Sequence, residues 1–362
     1  MSKPSSPPSR SKAYTEAGVN IEAGNALVGK IKKLVAQTHT HGVLSDIGGF
    51  GGLFKPDMEN VDTPVLVAST DGVGTKLKLA FEYNHHSTVG IDLVAMSVND
   101  ILVQGAKPLF FLDYFATGKL DVDQAEAVIA GVAEGCRQAG CALLGGETAE
   151  MPDMYAPGEY DLAGFCVGMV GNNDIVDGSS VKVGDRIIGI ASSGAHANGY
   201  SLIRKLVAES GLKGTDVFPG TDKSVRDVLL APTIIYTDCL RNLMRDFNIS
   251  GMAHITGGGF FDNIPRALPA QVKASIYFGS WDMPPIFQWL LEQGKLTWPE
   301  MLQIFNCGIG YVLIVNEEIA EEVQNRIKAL QLDAWIIGCI ERQPDKEGEQ
   351  VEIIFDRRKA KR

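Results

Sequence analysis

The chain has 362 residues, enough for about two domains of roughly 150 residues each, so a single small module is excluded. Hydrophobic residues make up 45% and charged residues 21%, as in globular proteins, and no apolar run reaches the roughly 18 residues that span a bilayer. The net charge of -11 argues against a nucleic-acid binder, which needs a basic face to displace counterions from phosphate.

Both ends of the chain are expected to be tails. The opening MSKPSSPPSRSK has no apolar stretch, so residues 1–13 are interpreted as a disordered tail and not as a signal peptide. Residues 346–362, which end in a basic run, are interpreted as a charged tail. The six cysteines include no C-x-x-C pair and sit among apolar neighbours, which is typical of reduced thiols in a cytoplasmic protein.

Strand-like and helix-like segments alternate over residues 64–170 and predict an α/β or α+β domain, with bounds of 14–170. One of its helices is expected to begin after Asp121 as the N-cap residue. The Gly, Asn, Asp and Ser cluster of residues 171–185 marks the domain boundary. A second domain, 171–345, again mixes strands with helices, which are predicted near residues 200–210, 233–244 and 317–330.

The segment from Val89 to Val103 is apolar almost all round and predicts a helix that is covered on most sides. It also contains Asp92, Asn99 and Asp100, whose spacings of seven and eight residues place them near one face. Buried carboxylates are costly without partners, so two interpretations stay open. The three side chains bond to backbone groups or a lysine, or some of them bind a metal ion.

Acidic side chains also lie at the ends of other predicted strands and loops. Magnesium prefers oxygen ligands and bridges a few carboxylates to substrate phosphates, whereas the scattered histidines and cysteines do not suit zinc. The acidic set consists of Asp71 in TDGVGTK, Asn99 and Asp100 in SVNDILVQGA, Asp113 in FFLDYFATG and Glu147 in LLGGETAEMP.

Two glycine-rich segments in the first half are similar to phosphate loops. The segment GNALVGKI, residues 24–31, ends in Ile31 where a Walker A loop needs Ser or Thr, so it is interpreted as the start of an amphipathic helix. The segment GGFGG, residues 48–52, either brings backbone N–H groups close to phosphate oxygens or is only a turn.

Two turns in the second half carry a histidine before a predicted helix. They are SSGAHANGYS, residues 192–201, and AHITGGGFFDNIPR, residues 253–266. Free N–H groups and the positive end of a helix hold an anion in such turns, although either turn alone fits a plain capped turn equally well. Together they favour a phosphorylated substrate.

Ordered motifs over roughly residues 14–340 closely resemble the phosphoribosylformylglycinamidine cyclo-ligase family, also called aminoimidazole ribonucleotide synthetase. They include YTEAGVNIEAGNALVGKIK, GGFGGLF, STDGVGTK, GIDLVAMSVNDILVQGA, GGETAEMP, SSGAHANGYSLIRK, HITGGGFFDNIPR and FNCGIGY. The resemblance implies ATP-dependent closure of formylglycinamidine ribonucleotide in purine biosynthesis. It also implies a homodimer whose N-terminal sheets join into a barrel, flanked by C-terminal αβ sandwich domains.

The motifs and the resemblance give the expected site. His196 and His254 are candidates for proton transfer because an unperturbed histidine titrates near neutral pH, and the alternative is that they only bond phosphate or backbone. The remaining catalytic candidate is Lys76. ATP is assigned to Gly48, Gly49, Phe50, Gly51, Gly52, Asp71 and Thr75; Mg²⁺ to Asp71, Asn99, Asp100 and Glu147; and the ribonucleotide to Ser192, Ser193, Asn198, Thr256, Gly257, Gly258 and Gly259.

Two other functions are possible from the sequence. Another ATP-using enzyme of the same superfamily is one, and a selenophosphate synthetase would carry a reactive cysteine in an N-terminal glycine loop, whereas the first cysteine here is Cys136. The other is a nucleotide-binding protein that has lost its chemistry, against which the presence of Asp71, Asp100, His196 and His254 argues.

Overall fold

The structure, a computed structural model, describes residues 16–59, 61–344 and 348–355, which form a mixed α/β protein with two sheets. The predicted tail at residues 1–13 lies outside the described residues. Within the described ranges, every helix is too short or too polar to cross a membrane.

The first sheet is mixed and is covered by helices. Its strand order is β1-β4-β2-β3, in which β2 and β3 are parallel and the other neighbours antiparallel. Burial alternates along β2 and β4, and alternate residues of β1 are half-buried, because one face of the sheet packs against α3 and α4. The elements are α1 (Ile21–Ala36), β1 (Pro64–Gly72), α2 (Lys76–Glu82), α3 (Val89–Leu102), β2 (Lys107–Thr117), α4 (Val122–Ala139), β3 (Ala142–Glu150) and β4 (Tyr160–Gly171).

The second sheet has the order β10-β7-β9-β5-β8-β6, in which only the β10 and β7 pair is parallel. Strand β8 is buried along its whole length, which fits its continuous apolar sequence. The elements are β5 (Arg186–Ala191), α5 (Tyr200–Ser210), α6 (Val225–Leu229), α7 (Thr237–Asp246), β6 (Gly251–His254), α8 (Gly259–Asn263), β7 (Val272–Tyr277), α9 (Pro285–Gly294), α10 (Trp298–Ile304), β8 (Ile309–Val315), α11 (Ala320–Ala329), β9 (Ala334–Arg342) and β10 (Val351–Ile354).

Several predicted elements are confirmed. The Asp121 side chain accepts hydrogen bonds from the N–H groups of Asp123 and Gln124 and so caps α4. The apolar helix is α3, and nearly all of its side chains are buried. The segment of residues 24–31 lies inside α1, where Lys30 pairs with two carboxylates of α4, so it is not a phosphate loop.

Two segments differ from the prediction. The helix expected over residues 233–244 begins only at Thr237, because the backbone groups of Thr233, Ile234 and Tyr236 bond to side chains of α3. The C-terminal segment is not entirely a tail, because Val351–Ile354 forms β10 and Val351 is buried. The alternation of apolar Val351 and Ile353 with Glu352 is typical of a half-buried strand, and the high charge around it hid this signal.

Candidate functional site

The polar face of α3 connects the two halves of the chain. The Asp92 carboxylate accepts two hydrogen bonds from Thr233, from its N–H at 2.8 Å and its hydroxyl at 2.6 Å. Two turns along α3, the Asn99 amide donates to the carbonyl of Ile234 at 2.8 Å and accepts from the N–H of Tyr236 at 3.1 Å. Asp92 and Asn99 therefore have backbone partners in the second half, as one of the two interpretations predicted.

Lys76 is completely buried between the same two halves. Its ammonium lies 2.8 Å from the Asp92 carboxylate and donates to the carbonyls of His196 and Ala231, both at 2.8 Å. Three partners match the three donors of an ammonium. The structure therefore places Lys76 in an interdomain network, where a nucleotide phosphate would have to displace one of these partners.

Asp100, at the end of α3, faces His254 at the end of β6, and the His254 Nδ1 lies 2.9 Å from the carboxylate. Asp71 also lies near Asp100 and His254. Partial burial raises the pKa of Asp71, the charge of Asp100 raises it further, and a hydrogen bond from the N–H of Gly72 opposes both. The end of β1, the end of α3 and β6 thus converge where the two halves meet.

A magnesium ion, which the resemblance implies, fits the Asp71 and Asp100 pair. Magnesium is commonly bound by one or two carboxylates together with substrate phosphates and waters. The two carboxylates are close enough for one charge to raise the pKa of the other. Within residues 16–59, 61–344 and 348–355, no group of three or more His, Cys, Asp and Glu side chains is arranged to hold a metal. The pair therefore suits an ion that also binds phosphates.

The other two expected metal ligands do not join the Asp71 and Asp100 pair. Asn99 already uses both ends of its amide in backbone bonds. Glu147 lies on β3, and the register places its neighbour Gly146 in one row with Asp113, Gly164 and Asp71. Because three strand spacings of about 4.8 Å separate the ends of that row, Glu147 is on the order of 14 Å from the Asp71 side of the sheet.

Glu147 instead lines a cavity of about 640 Å³ together with the glycine segment Gly48–Gly52. Apolar side chains of α1 form part of the wall, and Asp113 and Asp46 also line it. Phe50, at the centre of the glycine segment, is fully exposed. The cavity thus joins the predicted ATP-binding glycines to Glu147, whereas Asp71 and Thr75 lie outside its lining.

The turn of residues 192–198 is held by side chains from several elements. The hydroxyls of Ser192 and Ser193 bond to the Asn306 side chain and the Pro232 carbonyl, respectively. The Asn198 amide oxygen accepts from the N–H of Gly257, which ties this turn to the other glycine turn. The two predicted anion-binding turns are therefore neighbours in space.

The turn of residues 256–259 is organised by Asn263. The Asn263 amide donates to the carbonyls of Thr256, Gly257 and Gly259, and the Thr256 hydroxyl bonds to the Asn263 oxygen. Gly258 has a φ of +85°, which a residue with a Cβ adopts only with strain. The position needs glycine.

The two histidines differ in their surroundings. The His196 Nε2 accepts from the N–H of Ser193 at 3.2 Å, and burial, the nearby His254 and Lys76 lower the pKa of His196 well below its usual value. His196 is therefore a neutral imidazole that caps its own turn. His254 instead contacts the Asp100 carboxylate.

Sequence reasoning missed Thr233, Asn263 and Asn306, which position the two halves and the two turns. Asn306 stands beside a glycine-rich turn in FNCGIGY, which is the one local signal that marks it. Thr233 gave no such signal, because its partner Asp92 is 141 residues away along the chain.

Two family models match the chain. One is described as "AIR synthase related protein, N-terminal domain" and covers residues 58–170; the other is described as "AIR synthase related protein, C-terminal domain" and covers residues 182–349. Among solved structures, a thiamine-monophosphate kinase from Stenotrophomonas maltophilia has 18% identity, a TM-score of 0.64 and coverage of 90% of this chain and 95% of its own. The hydrogenase maturation protein HypE in complex with ATP has 17% identity and a TM-score of 0.64, with 93% of each chain covered. These structures share the fold.

Curated relatives are far closer in sequence. A phosphoribosylformylglycinamidine cyclo-ligase from Nitratidesulfovibrio vulgaris is 70% identical over 96% of this chain and 99% of its own length. Proteins of the same name from Lawsonia intracellularis and Geobacter sulfurreducens are 63% and 56% identical, over 96% and 95% of this chain and 99% of each relative. With both domains matched and the identity sustained over almost the whole length, the chain belongs to the phosphoribosylformylglycinamidine cyclo-ligase family.

Proposed function

We propose that the protein catalyses the ATP-dependent closure of formylglycinamidine ribonucleotide to aminoimidazole ribonucleotide, ADP and phosphate in purine biosynthesis. The observation that carries the proposal is 70% identity, over 96% of the chain, to a protein named phosphoribosylformylglycinamidine cyclo-ligase. The meeting of acidic residues with two glycine turns at the boundary between the halves supports it.

The chemistry has two steps. The γ-phosphoryl group of ATP is transferred to the formyl oxygen of the substrate, which makes the formyl carbon electrophilic and gives it phosphate as a leaving group. A nitrogen of the same substrate then forms a bond to that carbon, the carbon–oxygen bond breaks, phosphate leaves, and the nitrogen gives up a proton to a base of the protein. Phosphoryl transfer depends mainly on positioning and charge neutralisation, which backbone N–H groups and a bound cation supply.

In this proposal residues 14–170 bind ATP. The glycine segment Gly48–Gly52 lies at a cavity large enough for part of a nucleotide, with Glu147 in its wall. Asp71 and Thr75 flank the glycine turn that follows β1, and the like charge of Asp100 raises the pKa of Asp71. Asp71 and Asp100 would hold Mg²⁺, which would neutralise phosphate charge. Glu147 lies too far across the sheet to share that ion, and Asn99 is committed to backbone bonds.

Residues 171–345 bind the ribonucleotide. The turns of residues 192–198 and 256–259 are joined by the bond between Asn198 and Gly257, so both can contact one substrate. His254 is the better candidate for proton transfer, because its ring faces Asp100 where the domains meet. His196 has a fully buried ring and an occupied Nε2, which favours the alternative that it orders the turn.

The protein is further proposed to be a cytoplasmic homodimer in which the first sheets of two copies join. The face of this sheet opposite α3 and α4 leaves Leu66 67% exposed and Phe165 43% exposed. A second copy would cover these apolar side chains. All six cysteines are buried and unpaired, which supports a reducing compartment.

The deciding experiment is an assay for aminoimidazole ribonucleotide with the purified protein, ATP, magnesium and formylglycinamidine ribonucleotide. We expect product, ADP and phosphate in equal amounts. ATP hydrolysis without ring closure, or no dependence on the ribonucleotide, would refute the proposed reaction.

A further inference from the structure

The backbone of residues 194–197 has an unusual balance of hydrogen bonds. None of its four N–H groups donates to another residue in the described part of the chain. Ala195 is nevertheless only 4% exposed and His196 only 1%. Buried N–H groups are nearly always paired, so a run of unpaired ones needs an explanation.

Three of the four carbonyl groups of residues 194–197 accept hydrogen bonds from other residues. The side-chain amide of Asn306 donates to the Gly194 carbonyl at 2.9 Å, and the N–H of Asn198 donates to the Ala195 carbonyl at 3.3 Å. The Lys76 ammonium donates to the His196 carbonyl at 2.8 Å. With three carbonyls bonded to protein donors, the N–H groups of this turn are the backbone groups left to bind a ligand, and successive free N–H groups in a turn bind anions.

The surroundings of the turn suit an anion as well. A Cβ built on Gly194 would meet no atom within 4 Å, so there is open space beside the backbone. The turn also leads into α5, an 11-residue helix whose N-terminus has no side-chain cap. The positive end of that helix and the free N–H groups therefore favour the same negatively charged group.

Lys76 and Asn306 do not reach that group themselves. Lys76 is 0% exposed and its charge is balanced by Asp92 at 2.8 Å. Asn306 is 3% exposed, and its oxygen accepts from Ser192 and from the N–H of Gly308. Their contact with the turn is through its carbonyl oxygens.

We propose that Lys76 and Asn306 are positioning residues for a phosphate monoester: they hold the carbonyls of His196 and Gly194 so that the N–H groups of residues 194–197 receive the phosphate. The identity of that phosphate as the one on the ribonucleotide rests on the proposed function. The assignment gives Lys76 a role remote from ATP.

The first test is Asn306→Asp. This change keeps an oxygen for Ser192 and Gly308 but removes the donor to Gly194. Binding is measured by titration calorimetry with ribose 5-phosphate and, separately, with a non-hydrolysable ATP analogue. We expect ribose 5-phosphate to bind about tenfold more weakly or worse, because the turn loses one of its supports, while binding of the ATP analogue stays unchanged.

The second test is the double variant Lys76→Met/Asp92→Leu, which removes both buried charges and so avoids leaving one of them unpaired. We expect the same selective loss of ribose 5-phosphate binding, and a raised KM for the ribonucleotide with an unchanged KM for ATP. Ile327→Ala, a cavity in the remote helix α11, is the control for lowered stability and should leave both affinities unchanged.

Three results would overturn the proposal: wild-type affinity for ribose 5-phosphate in both folded variants, selective loss of the ATP analogue in the Lys76 variant, or no ribose 5-phosphate binding by the unmodified protein. Failure of the unmodified protein to form aminoimidazole ribonucleotide would refute the proposed reaction alone, because these titrations measure binding without turnover.

Discussion

At the scale of single residues, similar acidic side chains have different roles because their neighbours differ. Asp92 is buried and bonds to Lys76 and Thr233, so its charge is balanced by partners inside the protein. Asp100, eight residues further along α3, is 42% exposed in its side chain and contacts His254. Only the second is available to a ligand.

Asp71→Asn and Asp100→Asn should each lower turnover by about 100-fold or more while the protein stays folded, because each removes a charge from the proposed cation site. Initial rates at saturating Mg²⁺ and circular dichroism check this. Asp238→Asn, an exposed carboxylate on α7, should retain full activity. A near-normal rate in either test variant would rule out its assignment as a metal ligand.

Asp113 gives a prediction about pH. Burial raises the pKa of Asp113 to about 7, whereas a free aspartate has a pKa of about 4. Between about pH 4 and about pH 7 the carboxyl of Asp113 is ionised in the unfolded chain but still protonated in the folded protein. The folded protein therefore loses up to about 4 kcal/mol of the stability that it has below about pH 4, and the loss is complete above about pH 7.

Asp113→Asn cannot ionise and should therefore be more stable than the unmodified protein at about pH 8, with little difference near pH 4. Thermal melts across this range measure the effect. Asp222→Asn, in an exposed loop, is the matched control and should leave the pH profile unchanged. Parallel profiles for Asp113→Asn and the unmodified protein would contradict the assignment of a buried, protonated carboxyl.

At the scale of elements, the glycine turns depend on backbone conformations that other residues resist. Gly258 has a φ of +85°, and a Cβ there would lie 2.2 Å from the Asp262 carboxylate of α8. A side chain at position 258 would therefore strain the backbone and also collide with Asp262. Both effects would disturb the turn of residues 256–259, which hydrogen bonds from Asn263 hold in place.

Gly258→Val should therefore raise the ribonucleotide KM or abolish ribonucleotide binding, with little change in ATP affinity. Calorimetric titration with each ligand tests the division between the halves. Gly211→Val is the control, since Gly211 has a φ of +74° but nothing within 4 Å of its Cβ position. Loss of ATP binding with ribonucleotide binding intact would reverse the proposed roles of the two halves.

At the scale of the whole molecule, the first sheet presents apolar side chains that the described chain leaves exposed. Leu66→Asp should dissociate the proposed dimer, because a charge buried against a second copy costs more than the contact contributes. Sedimentation measures the mass. Val217→Asp, which alters a side chain of similar exposure, 64%, in the second half, should not change it. A monomeric unmodified protein would refute the dimer.

The sequence by itself determined those features that depend on near neighbours. The cap at Asp121, the buried helix α3 and the helix in place of a Walker A loop follow from residues a few positions apart. The many ordered motifs were also sufficient to identify the family. The positions of the two glycine turns were also predicted from the sequence, because a run of small residues before a helix is visible within a few positions of the chain.

Only the tertiary structure decided which polar residues meet. Lys76 was a catalytic candidate from the sequence, yet its partners His196 and Ala231 lie 120 and 155 residues away. Likewise, Asn99 had the chemistry of a metal ligand until packing placed the segment before α7 against it. Periodicity and capping act within a turn or two of chain, whereas a buried charge takes whichever partner the packing of distant segments brings to it.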